Sequence, residues 1–283
     1  MPESPSQLLP GSLGSHLAFS LRTTGVGAGC HAVCMISAMT RNLGYRKTAD
    51  RWLRELLETA DAPDVLLVQE ILPGLVQSTL DGYTVVEGQT APSGVSGRTS
   101  ALLIADRLGA AKPILVEAPF VRLGTYASAA TLDRADGPLC LVSVHTSPSP
   151  VSAEWMKSDY ATRSCEAGPW WSDAFLAELA VFASTGPQRV IIAGDLNQAL
   201  DYDAANGHRC GAEFFETVQR LGFVDVTARD WNGVERPTRK DPDYQLDRVF
   251  VSADFADRVS VQGDELVHDS ASDHAAIRFS IDA

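Results

Sequence analysis

Val190-Ile191-Ile192-Ala193-Gly194-Asp195-Leu196-Asn197 is an apolar run that stops abruptly at Gly-Asp-Leu-Asn. Its leading residues read as a strand buried on both faces. Such a strand carries its last residues to the lip of a sheet. Asp195 and Asn197, two positions apart, then point the same way, because side chains alternate with a period of two. A carboxylate and a carboxamide held side by side can bind a hydrated metal, a water nucleophile or a phosphate oxygen. The same pattern also suits a turn or a helix N-cap. The rest of the chain decides between these readings.

Working outward, other apolar strands carry chemically useful residues at their ends. Met35 to Asn42 closes on an Asn, Val65 to Glu70 on Gln69-Glu70, and Leu139 to His145 on a His. Leu246-Asp247-Arg248-Val249-Phe250-Val251 opens with an Asp, and Ser272-Asp273-His274 precedes the alternating strand Ala276 to Ile281. Each end residue alone has an ordinary structural explanation. Their order along one chain does not.

That ordered set resembles the endonuclease/exonuclease/phosphatase superfamily, the fold of DNase I, exonuclease III and the inositol-polyphosphate 5-phosphatases. The resemblance spans about residues 35–282 and rests on Gln69-Glu70, Gly194-Asp195-Leu196-Asn197 and Ser272-Asp273-His274, supported by Asn42 and Asp247. It implies an α/β protein, a four-layer α/β/β/α sandwich of two mixed, mostly antiparallel sheets. It further implies that Glu70 and Asn42 organise a divalent metal with Asp273 close by. Asp195 and Asn197 would orient the attacking water and the phosphate, and His274 would be held by Asp247. Glu70, Asn42 and Asp273 together suit a hard, oxygen-ligated ion, Mg²⁺ or Mn²⁺. The run Ser143 to Ser149 is similar to the DNase I and sphingomyelinase branch, where a strand-end His, here His145, transfers a proton. The Glu that supports that His in DNase I aligns with Gly97-Arg98. On this reading His145 lacks its carboxylate, which leaves it either a catalytic acid without that support or a phosphate ligand, with Arg98 as a phosphate contact.

The remaining readings come from composition and periodicity. At 283 residues and 45% hydrophobic content, the chain can bury a substantial core. Residues 1–34 read as a poorly ordered extension, with Met35 an alternative start, and 35–283 as the catalytic domain. Tyr45 to Ala60, Trp171 to Ala183 and Ala212 to Leu221 have helical spacing. Ser100 to Ala105, Pro113 to Glu117, Thr125 to Leu132 and Leu139 to His145 read as short strands of a largely antiparallel layer. No apolar run approaches the roughly 18 residues of a membrane span. Five scattered cysteines point to reduced thiols and a cytoplasmic protein.

A net charge of −13 excludes a global basic field for gathering nucleic acid. Arg41, Arg46, Arg98, Arg163, Arg236, Arg239, Lys240 and Arg248 are candidates for a local basic rim, and Trp155, Trp170, Trp171 and Trp231 could stack on bases or fill the core. Three functions fit: a phosphodiesterase acting on nucleic acid or nucleotides; a phosphatase or phospholipase C-like esterase on a small or lipid phosphate; and a non-catalytic binding module. The first is preferred. No obligate protein partner is evident.

Overall fold

The computed structural model describes residues 35–44, 49–72, 80–88, 99–114, 127–151, 153, 156, 158, 160, 163, 168–186, 188–241, 243–263, 266 and 268–282. The N-terminal extension expected over residues 1–34, with its alternative start, lies outside them, as do Arg46, Arg98 and Trp155. In chain order the first half contains β1 (Met35–Asn42), α1 (Ala49–Leu57), β2 (Val65–Ile71), β3 (Tyr83–Glu87), β4 (Thr99–Ala105), β5 (Ala111–Pro113), β6 (Ala127–Leu132) and β7 (Leu139–His145). The second contains α2 (Trp171–Thr185), β8 (Val190–Asp195), α3 (Leu200–Asn206), α4 (Cys210–Arg220), β9 (Phe223–Asp225), α5 (Val226–Asp230), β10 (Asp247–Ser252), β11 (Val259–Gln262) and β12 (Ile277–Asp282).

The strands form two six-stranded sheets, ordered β11-β12-β1-β2-β4-β3 and β5-β6-β7-β8-β10-β9. Among the described strands only β1/β2 and β7/β8 pair in parallel; the other pairs are antiparallel. Alternation along each strand explains the layering. Val65 and Leu67 of β2, Ile191 and Ala193 of β8, and Ile277, Phe279 and Ile281 of β12 share one core between the sheets. The intervening residues turn outward. Leu66 and Val68 pack with Leu53 of α1, whereas Val190 and Ile192 pack with Phe175 and Leu179 of α2 and Phe214 of α4. Each such side chain removed from water contributes about 1.5–3 kcal/mol before conformational entropy is set against it. The four-layer α/β/β/α sandwich is therefore observed.

The parallel pairs decide where the chemistry lies. β1 and β2 end at one edge of their sheet, and β7 and β8 end at one edge of theirs. β10 runs antiparallel to β8, so its first residue, Asp247, registers with Asp195. β12 runs antiparallel to β1, which brings the Ser272–His274 segment preceding it to the end of β1.

Two expectations change. The strand expected at Pro113 to Glu117 is instead β5, three residues ending at Pro113 and paired with β6; residues 115–117 lie outside the described ones. The expectation of uniformly reduced thiols fails at Cys210, which is disulfide-bonded, while Cys140 is free and buried. Scattered spacing along a chain says nothing about which cysteines the fold brings together. No described helix is long and apolar enough to cross a membrane.

Candidate active site

Asp195 is the junction of the site. As the last residue of β8 it registers with His145 of β7 on one side and Asp247 of β10 on the other. Gly194 makes this possible. Its φ of +148° is one that side-chain-bearing residues rarely adopt, and an added Cβ would lie 1.9 Å from Val144 O and 3.0 Å from the Gln69 side chain. The glycine before Asp195 is thus required by the close approach of β7 and β2.

Backbone strain gathers at the same place. Glu70 (φ 53°) and Asn197 (φ 50°) are left-handed, and among the described non-glycine residues only Asn232 joins them. Asn tolerates this conformation, but Glu does so at a cost of order 1–3 kcal/mol. The β2/β4 register shifts between Val68 and Ile71, so Glu70 sits in an irregularity that re-aims its side chain off the strand.

Hydrogen bonds tie the two sheets together around Asp195. Its Oδ1 accepts from Asn197 N at 2.9 Å, and its Oδ2 accepts from Asn42 Nδ2 at 2.8 Å. Nε2 of both His145 and His274 lies 3.8 Å from that Oδ2. His274 Nδ1 meets Asp247 Oδ2 at 2.7 Å. Burial alone would lower the His274 pKa, but the charge and hydrogen bond of Asp247, with Asp195 and Asp273 nearby, outweigh it and raise it to about 9. Burial raises the Asp195 pKa; the charge of His274 opposes this and that of Asp247 reinforces it. The Oδ1 of Asp247 is buried with no hydrogen-bond partner, which leaves its charge to act on the imidazole.

His145 does have a carboxylate neighbour, contrary to the sequence reading. Its Nε2 is 3.0 Å from Glu70 Oε1, across the inter-sheet gap. Gly97-Arg98 precede β4 in the chain, whereas the carboxylate comes from Glu70 of β2, the strand paired with β4 in the same sheet, a proximity that chain order does not reveal. Asn197 Nδ2 donates to Thr146 O at 2.7 Å and lies 3.4 Å from His145 Nε2.

The residues named for the metal are Glu70, Asn42 and Asp273. Ser272 Oγ donates to Asn42 O at 2.6 Å and accepts from His274 N at 3.0 Å, which docks the Asp273 segment on the end of β1. Asp273 is held 3.7 Å from Arg239 Nε. The Asn42 side-chain oxygen accepts from Gly44 N and keeps a second lone pair. These donors are all oxygen, which suits a hard divalent cation. No group of three or more His, Cys, Asp or Glu among the described residues could hold a metal unaided.

Three supporting residues have roles that sequence reasoning did not assign, although Gln69 and Ser272 stand within its motifs. Thr238, fully buried, accepts from both Leu246 N and Asp247 N at 3.0 Å and fixes the start of β10. Gln69 Nε2 donates to Thr40 Oγ1 and Ser143 Oγ and so bridges the sheets beneath Glu70. Ser272 is the third. The signals were present, a Thr after Pro237 and a Gln before Glu70, but only cross-sheet contacts give them meaning.

The proposed basic rim shrinks. Arg41 makes paired hydrogen bonds to Asp269 at 2.6 and 2.8 Å and lies over the Trp52 ring. Arg248 is buried against Asp225, Glu235 and the Phe215 ring. Arg163 is buried among Asp173, Ser172, Gln198 and the Cys210 carbonyl. All three are structural because a buried guanidinium must have its charge paired. Arg236, Arg239 and Lys240 remain nearer solvent. Trp231 is buried in the inter-sheet core, so it is no stacking platform.

Residues 39–274 match the sequence model of the Endonuclease/Exonuclease/phosphatase family, and the chain belongs to that family. No curated protein matches the chain. Solved structures similar to it include the endonuclease domain of TRAS1, a telomere-specific non-LTR retrotransposon, at 19% identity and TM-score 0.60, covering 88% of this chain and 98% of that one. The AP endonuclease LMAP from Leishmania major is 19% identical with TM-score 0.63, covering 88% of each chain. The 3'-5' exonuclease NExo from Neisseria meningitidis is 16% identical with TM-score 0.62, covering 88% of this chain and 100% of its own. At such identities the likeness establishes the shared fold.

Proposed function

We propose that this family member is a divalent-metal-dependent phosphodiesterase acting on nucleic acid or nucleotides. The observation that carries the reading is the convergence on one carboxylate, Asp195, of Asn42, Asn197 and two histidines drawn from both sheets. Similar structures described as an AP endonuclease, an exonuclease and a 3' phosphatase bound to product DNA hairpin support the substrate class.

Phosphodiester hydrolysis needs an aligned water, charge compensation on the phosphoryl oxygens and a proton for the leaving group. Asp195 serves as the base: Asn42 and Asn197 hold both its oxygens, and burial makes it a better proton acceptor than an ordinary carboxylate. His274, kept protonated by Asp247, sets a positive charge beside the attacked phosphate. His145, between Glu70 and Asn197, is placed to give a proton to the leaving oxygen. Asn197 can exchange its His145 contact for a phosphate oxygen without adding charge. A Mg²⁺ or Mn²⁺ ion, held by Glu70 with Asn42 and Asp273, would supply further positive charge against the phosphoryl oxygens.

Hydrolysis of an oligonucleotide, a dinucleotide and a panel of phosphate monoesters in Mg²⁺ tests the reading. Cleavage of the diesters should vanish in excess EDTA, and Glu70→Gln should lose about two decades of rate or more. Full activity in EDTA, or no diester cleavage at all, would overturn it.

A further inference from the structure

Beside Asn197 the surface opens into a cavity of about 370 Å³ that no step above uses. Asn197 and Arg239 form its wall toward the site, and Trp170, Tyr202, His208 and Tyr244 supply ring surfaces around it. Tyr202 lies edge-on to Tyr244, with centroids 5.7 Å apart and planes at 87°, and stacks on His208 at 6.1 Å. Tyr202 is 44% exposed, a large amphipathic ring presented to whatever enters.

The cavity is held rigid from behind. Gln198 and Cys210 line it, and buried Arg163 donates to Gln198 Oε1 at 2.7 Å and to the Cys210 carbonyl at 2.8 Å. The same guanidinium is anchored on Ser172 Oγ and Asp173, both at 2.7 Å. The lining carboxylate of Asp203 is occupied by Gly211 N and Ala212 N at 3.2 and 2.9 Å. Arg239 faces Asp273. The charged groups of the lining therefore have partners, and the ring surfaces are left to meet the guest. A planar, uncharged, polar-edged group fits that lining, and its phosphate would stay at Asn197.

We infer that this cavity seats one nucleobase of the substrate, next to the scissile phosphate. The inference rests on the phosphodiesterase reading and narrows its substrate. A base in this cavity cannot remain paired in a duplex, so the preferred substrate has an unpaired, terminal or extruded nucleotide. Base–ring stacking contributes about 1–3 kcal/mol per base, roughly ten- to a hundred-fold in affinity.

The test has a binding arm and a turnover arm. With Ca²⁺ replacing Mg²⁺, thymidine 5'-monophosphate and deoxyribose 5-phosphate are titrated against the full chain by calorimetry. The nucleotide should bind at least about tenfold more tightly. In Mg²⁺, kcat/KM is compared on a single-stranded oligonucleotide and on the same strand carrying abasic sites. Tyr202→Ala and Tyr244→Ala should each pull both ratios toward one, and Tyr202→Phe, which keeps the ring, should restore them. Equal affinity for nucleotide and sugar phosphate in the unaltered protein overturns the cavity's assignment, as do alanine variants that leave the ratios unchanged. An intact affinity ratio without turnover of any substrate overturns the hydrolase reading instead and upholds the cavity.

Discussion

Two histidines flank Asp195 at the same 3.8 Å, yet their surroundings differ. On one side His274 leans on Asp247, a fully buried carboxylate whose backbone is pinned by Thr238. On the other, His145 faces Glu70, which is 14% exposed, strained and set in a strand irregularity. The first pair comes from a strand start and a loop locked by hydrogen bonds to Thr238 and Ser272. The second spans the gap between the sheets. Equal distance therefore does not mean equal role. The His274–Asp247 pair is the closed side, and the His145–Glu70 pair, whose carboxylate is partly exposed, is the open side.

Removing the junction itself should have the largest effect. Asp195→Asn keeps the shape and loses the base, and kcat should fall about 10⁴-fold. More than a tenth of the normal rate would mean that the two histidines do not work through Asp195. Steady-state kinetics on a single-stranded oligonucleotide decides this.

On the closed side, Asp247→Asn should cost about 10³-fold in kcat and also change how stability depends on pH. The folded pKa of His274 is raised above its unfolded value, from 6.5 to about 9. Its contribution is thus fully present below about pH 6.5 and is lost as pH rises through about 9. Measured in EDTA, the Tm advantage of the unaltered protein over the variant should shrink across that window. A constant difference from pH 6.5 to 9.5 would show that Asp247 does not hold the proton on His274.

The open side should be the more tolerant. His145→Gln should lower kcat about 10²-fold, with no comparable shrinking of a Tm difference over the same pH range. A loss as large as that of Asp247→Asn would erase the distinction between the two sides. The relation between the three variants is the informative result, because groups acting on one transition state are not additive.

Much of this was legible in the chain. Apolar runs such as Val190–Asp195 and Leu139–His145 must be buried strands, and period-two alternation sends their neighbouring side chains to opposite faces. The apolar runs of the sequence set Asn42, Glu70, His145, Asp195 and Asp247 at or next to strand ends. Short elements were not legible: β9 has three residues and α5 five, too few to show a period, and both form because they pack on β10. Nor were the fates of the arginines, since Arg41, Arg163 and Arg248 look no different along the chain from Arg239.

The sequence by itself determined which residue types close each strand, and therefore that a sheet edge would gather carboxylates, amides and histidines. Tertiary structure alone decided which of them touch. Glu70 meets His145 and Asn42 meets Asp195 only because two sheets pack face to face, with Gln69 bridging them and Gly194 allowing the approach. Local pattern follows from the alternation of one backbone. Contacts between residues 75 or 153 positions apart follow from the burial of a shared core, which no segment can specify alone.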